Sequence, residues 1–145
     1  MSLADVLPFY HQPSATLVTG GKLEARALPA VKAAGIQRVI DLLPEAEHDY
    51  DEASMVAAVG LAYENLPVAG AAGLNPETVR RFDALLQAGG ETPTLIHCAS
   101  ANRVGALLAL RAAWHQGASP EAALDLGRRA GLTKLEPLVQ QLLMR

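Results

Sequence analysis

Residues 93–99, Pro-Thr-Leu-Ile-His-Cys-Ala, make a strand-length apolar run with no alternation of polar and apolar positions. A strand apolar on both sides has to be covered on both faces, the situation of an inner strand in a parallel sheet. Three more runs fit such a sheet: residues 16–21 (Thr-Leu-Val-Thr-Gly-Gly), 38–43 (Arg-Val-Ile-Asp-Leu-Leu, stopped by Pro44) and 62–68 (Ala-Tyr-Glu-Asn-Leu-Pro-Val). Helical segments lie between them. Leu23, Ala27, Ala30, Val31 and Ala34 recur at roughly helical spacing, with Gly35 placed as a C-cap. Residues 52–61 are also helical in pattern. Asn75, Pro76 and Glu77 read in order as N-cap, first position and first turn of a helix that Gly89-Gly90 ends. After the apolar run, helices are expected over 103–116, from Ser119-Pro120, and from Thr133-Lys-Leu-Glu136, which has capping-box spacing. Strands alternating with helices imply right-handed crossovers. The expected fold is therefore α/β: one domain over residues 1–145, with a mostly parallel central sheet of four to five strands flanked by helices on both faces.

Ligand sites in such sheets lie off the C-terminal strand ends, where the apolar run places Cys98, the only cysteine in the chain. Arg103 follows five residues later, after Ala99, Ser100, Ala101 and Asn102. A turn from a buried strand into a helix leaves backbone N–H groups without internal partners. Together with the helix dipole, these form an anion site. Arg103 adds a planar, permanently charged fork suited to two oxygens of one oxyanion. The same field favours a thiolate at Cys98, a nucleophile aimed at a bound phosphorus or sulfur.

Composition narrows the partners. A net charge of −3 over 145 residues argues against nucleic acid or an anionic membrane as the main partner. No basic, apolar leader opens the chain, and no apolar run approaches the length of a membrane span, so a cytoplasmic protein is expected. One cysteine allows neither an internal disulfide nor a multi-thiolate metal centre, and His11, His48 and His115 lack ligand spacing. No metal or cofactor is expected.

The stretch Ile-His-Cys-Ala-Ser-Ala-Asn-Arg-Val-Gly (96–105) resembles the phosphate loop of the cysteine-dependent protein tyrosine and dual-specificity phosphatases. The resemblance extends over residues 16–116 and is nearest to a group of small bacterial phosphatase-like proteins with a shortened Cys-x4-Arg loop. It implies a hydrolase acting on a phosphorylated protein or small molecule. Cys98 would attack phosphorus and Arg103 would clamp the equatorial oxygens. Backbone N–H groups from Ala99, Ser100, Ala101 and Asn102 through Arg103 and Val104 would cradle the phosphate. His97 would orient the loop, and Ser100 would ease departure of the thiolate.

The chain departs from that pattern in three places. Four residues separate Cys98 and Arg103 where the usual motif has five, and a loop this short also resembles that of rhodanese-type sulfurtransferases, which carry a persulfide. Val104 replaces the hydroxyl residue that usually follows the arginine. The loop after residue 68, Ala-Gly-Ala-Ala-Gly-Leu-Asn, lacks the aspartic acid that protonates the leaving group in the superfamily. Glu45, Glu47, His48 and Asp49 would have to substitute, against the competing reading of that stretch as a solvated acidic turn. A sulfurtransferase, or a phosphate-binding protein without turnover, are the alternatives to a phosphatase. Asp41, inside its strand, is expected to anchor a neighbouring loop.

Overall fold

The computed structural model describes residues 2–144. In chain order its elements are α1 (Leu3–Val6), β1 (His11–Ser14), β2 (Leu17–Gly20), α2 (Leu28–Ala33), β3 (Arg38–Asp41), α3 (Glu52–Ala58), β4 (Ala62–Asn65), α4 (Pro76–Gly89), β5 (Thr94–His97), α5 (Asn102–His115), α6 (Pro120–Ala130) and α7 (Glu136–Leu143). The strands form one five-stranded sheet in the order β1-β2-β5-β3-β4. Every pairing is parallel except β1 with β2. The α/β architecture is the one expected; the added antiparallel edge, β1, comes from residues whose short polar run carries no strand pattern. No helix among the described residues is long and apolar enough to cross a membrane.

Strand β5 is the central strand, which explains its unbroken apolar character. Successive side chains of a strand point to opposite faces, and the register of β5 on β3 sets Val39 beside Leu95, Ile40 beside Ile96 and Asp41 beside His97. Val39 and Leu95 pack with Leu28, Val31 and Val56 under α2 and α3. Ile40 and Ile96 pack with Val79, Phe82 and Leu107 under α4 and α5. All these side chains are fully or almost fully buried, and each large one contributes about 1.5–3 kcal/mol. Two cores, one per face, hold β5 rigid up to its C-terminal end.

Helix α5 crosses α6 where neither has a side chain to separate them. A Cβ at Gly105 would lie 2.4 Å from the Leu132 nitrogen and 2.6 Å from the Gly127 oxygen. The capping box expected at Thr133–Glu136 does not form: α7 starts at Glu136 with Leu135 as its N-cap and no side-chain cap. A tertiary acceptor replaces the local one, because Asn102 Oδ1 takes the amides of Thr133 (2.9 Å) and Leu135 (3.2 Å). Glu136 instead pairs with Arg128 through two contacts of 2.8 Å.

Candidate active site

The strand alternation that separates the two cores also separates His97 from Cys98. His97 shares its face with Asp41 and Leu95 and points toward α3, whereas Cys98 follows Ile96 toward the α4–α5 side. Both are fully buried. Beyond β5 the backbone is still held on both flanks: the Cys98 amide donates to the Gly20 carbonyl at 3.2 Å, and the Leu42 amide to the His97 carbonyl at 3.0 Å. The loop then leaves the sheet, pairing Ser100 with Gly21 and lending the Ala99 carbonyl to the Lys22 amide at 3.2 Å.

Ala101 turns this loop into helix α5. Its φ of +65° lies in the left-handed region, an uncommon conformation for a residue with a Cβ, and it is fully buried. The Ala101 carbonyl accepts the Gly105 amide at 2.9 Å, closing the first helical turn. Among the described residues, the amides of Ala99, Ser100, Asn102, Arg103 and Val104 have no acceptor. They sit at a helix N-terminus, where partial positive charge accumulates. The Asn102 side chain is turned away to the α6–α7 connection, and Val104 is buried in the core. Any contact of these two residues with a ligand in this conformation would therefore be through the backbone.

Arg103 donates from Nη1 to Glu47 Oε2 (2.9 Å) and the Val68 carbonyl (2.6 Å), and from Nη2 to Glu47 Oε1 (2.7 Å). A guanidinium has five N–H donors, so these bonds leave the Nε–H and one Nη2–H, which together make the second edge of the fork. Glu47 is the main group holding the guanidinium in its charged form, with a lesser contribution from the Cys98 side chain. The thiol lies near the guanidinium, but Cys98 has no exposed surface and packs in the apolar core on the α4–α5 side.

The segment after β3 is tethered at several points, although Glu45 and Asp49 remain exposed. Glu47 clamps Arg103, His48 Nε2 lies 2.5 Å from Asp41 Oδ2, Asp49 pairs with Lys22 at 2.8 Å, and the Tyr50 hydroxyl donates to the Leu23 carbonyl at 2.6 Å. Asp41 is the anchor expected of it: it also accepts the Leu43 amide (2.9 Å) and the Tyr63 hydroxyl (2.6 Å). Of Glu45, Glu47, His48 and Asp49, Glu47 is the one bonded to Arg103. Its bond to Arg103 lowers its pKa, which leaves Glu47 an anionic clamp and not a proton donor in this conformation. Glu45 and His48 line a polar cavity of about 510 Å³ with Tyr50, Glu52, Tyr63 and Asn65.

Burial alone would lower the pKa of His48, but the bond to Asp41, with the charges of Asp41, Glu52 and Glu45, raises it above 6.5. A raised folded-state pKa contributes stability that is full below the unfolded value and disappears as pH rises through the folded one. The thermal midpoint is therefore expected to fall as the pH is raised from below 6.5 through the folded-state value. His48→Gln, followed by scanning calorimetry across that range, should flatten the slope.

Glu52 carries no mark in the sequence, since nothing in a helical pattern shows which of its glutamates is buried. It opens α3, is 3% exposed, and its Oε2 lies 2.6 Å from His97 Nε2. Asp41, Glu52 and His97 could offer three ligand atoms within 4.8 Å of one another. The contact of 2.6 Å is closer than two ligands of one ion sit when each bond is about 2.1 Å and the geometry is tetrahedral. The arrangement is that of a hydrogen bond between imidazole and carboxylate.

No protein-family profile matches the chain, and no curated protein is similar to it. Solved structures are similar in fold. A candidate phosphatase (DUF442) from Shewanella putrefaciens CN-32 aligns at a TM-score of 0.74 and 22% identity, covering 97% of this chain and 89% of that one. A candidate phosphatase from Neisseria meningitidis aligns at 0.76 and 19%, covering 92% and 96%. Pseudomonas aeruginosa TpbA, as a cysteine-to-serine variant in complex with phosphotyrosine, aligns at 0.65 and 18%, covering 100% and 86%. The chain thus has a protein tyrosine phosphatase-like fold.

Proposed function

We propose that this single-domain protein is a phosphatase that hydrolyses phosphomonoesters through a phosphocysteine on Cys98. The observation that carries this reading is the guanidinium of Arg103, held by Glu47 and Val68 beside the Cys98 thiol with one N–H edge left over. A phosphate oxygen pair fits that edge, and the amides at the start of α5 supply further donors. The Cys98 thiolate attacks phosphorus and the P–O bond to the alcohol breaks. Water then attacks phosphorus, the S–P bond breaks, and inorganic phosphate leaves with the thiolate restored. Arg103 and the loop amides stabilise the equatorial oxygens as they gain charge. Ser100 supports the departing thiolate and His97 orients the loop.

With Glu47 engaged as an anion, the alkoxide leaves without a positioned acid, a loss of about 10²–10⁴ in rate. That penalty falls most on alkyl phosphates and least on aryl phosphates, whose leaving group is already stable as an anion. The substrates that fit are phosphorylated proteins or small molecules with phenolic esters, phosphotyrosine among them. The short Cys-x4-Arg loop also suits a sulfurtransferase carrying a persulfide on Cys98, and the missing acid suits a phosphate-binding protein without turnover. Release of phosphate from p-nitrophenyl phosphate, inhibited by vanadate and faster by about 10-fold or more than release from a simple alkyl phosphate, is the expected result. Thiocyanate formation from thiosulfate and cyanide, without phosphate release, would replace this reading with the sulfurtransferase. Phosphate binding without either product would replace it with the binding protein.

A further inference from the structure

We propose that Glu52 is a positioning residue for the Cys98 thiolate, acting through His97. The inference rests on the reading of Cys98 as nucleophile, but it concerns a residue on another element and on the opposite face of the sheet. His97 is fully buried, and the contact from its Nε2 to Glu52 Oε2 at 2.6 Å is its main side-chain bond; Asp41 Oδ1 stands further off at 3.5 Å. Its other nitrogen, Nδ1, is buried without a partner among the described residues. Glu52 is therefore what fixes the ring, and it does so as a nearly fully buried carboxylate. Two buried carboxylates, Asp41 and Glu52, face this ring. Asp41 spreads its charge over His48, Tyr63 and the Leu43 amide. Among the described residues, Glu52 has no side-chain hydrogen-bond partner but His97; His48 is 4.0 Å from its other oxygen. A buried carboxylate with one donor holds that donor firmly, because neither has another close side-chain partner to turn to.

His97 is bonded to Cys98 through one peptide link, so a ring held by Glu52 holds in place the backbone that carries the sulfur. Two residues five apart in the segment from Glu47 to Glu52 thus bear on the nucleophile from both sides. Glu47 holds the arginine beside the sulfur, and Glu52 holds the histidine before it. The charged and titratable groups gathered around the two residues are Arg103 from α5, His97 from β5, Glu52 from α3, Asp41 from β3, and Glu47 and His48 from the segment between β3 and α3, with Tyr63 of β4 behind Asp41.

Cys98 is the only cysteine, so the pH dependence of iodoacetamide alkylation, followed by mass spectrometry, reports this one sulfur without any phosphate substrate. In Glu52→Gln, which preserves shape and can still accept from Nε2, the pH of half-maximal reactivity is expected to rise and alkylation near pH 6 to slow about tenfold, the change produced by a midpoint displaced about one pH unit. Glu52→Asp should lie between the two, by keeping the charge at a shorter reach. His97→Gln should raise the midpoint by itself, and adding Glu52→Gln to it should change nothing more, as a shared path requires. Only samples with wild-type circular dichroism are compared, which separates this effect from misfolding. An unchanged profile in folded Glu52→Gln, or a full extra shift in the double variant, would overturn the inference. The phosphatase reading fails separately, by absence of phosphate release in the wild type whatever the alkylation profile.

Discussion

Cys98→Ser is expected to lower phosphate release from p-nitrophenyl phosphate by a factor of about 10⁴ or more, the scale of losing a covalent nucleophile, while leaving phosphate binding within a few-fold of wild type. The reasoning is local. A serine hydroxyl is a nucleophile near neutral pH only when a general base takes its proton, and the groups around position 98 are of the wrong kind. Arg103 is a permanent cation, the loop amides are donors, and His97 points to the other face of the sheet with Nε2 committed to Glu52. The anion-binding parts do not involve the sulfur and survive the change. The variant places a hydroxyl at a site with no exposed surface, at a stability cost of about 1–3 kcal/mol if it stays unbonded. Single-turnover assays for the rate and isothermal titration with inorganic phosphate for binding separate the two consequences. Retained turnover would mean that the sulfur is not the attacking atom.

Gly131→Ala is expected to weaken the fold strongly, and it reaches the same site from behind. Gly131 caps α6 with φ of +118° and donates its amide to the Arg128 carbonyl at 3.2 Å. A Cβ there would stand 2.4 Å from the Ala101 Cβ and 3.0 Å from the Ala101 oxygen. Ala101 is the left-handed residue that turns the anion loop into α5, so the collision falls on the most constrained residue of the loop. Backbone strain of about 1–2 kcal/mol and overpacking of about 1–3 kcal/mol together give a destabilisation of about 3 kcal/mol. The thermal midpoint should drop by roughly 6–12 °C in a chain of this size. Displacement of Ala101 should also lower kcat/KM by about 10²-fold if it moves the loop amides by about 1 Å. Calorimetry and steady-state kinetics on one preparation check both; a stable, fully active Gly131→Ala protein would show that the loop does not depend on this contact.

The elements that repeat a local pattern were legible in the residues alone. The apolar run ending at Cys98, the small-residue turn and the helix opening near Arg103 are neighbours in sequence. Their geometry follows from strand alternation and helix ends, which act over a few residues. Asn75 and Ser119 cap their helices as expected because an N-cap bond spans only the first turn. What lay beyond reach were partners brought together by strand order. Placing β3 beside β5 carries the segment after β3 over the end of β5, so that Glu47 meets Arg103 across 56 residues and Glu52 meets His97 across 45. In isolation that segment reads as charge dissolved in water. It becomes a pair of clamps only when the sheet supplies a cation on one face and a buried imidazole on the other. The failed capping box at Thr133 has the same cause, since Asn102 outcompetes a local cap once α5 packs against α7. Sequence determined which atoms could do chemistry here, because reactivity belongs to residue types and short spacings. Tertiary structure decided which carboxylates hold those atoms in place, because an electrostatic partner is chosen by distance in space, which the chain alone does not specify.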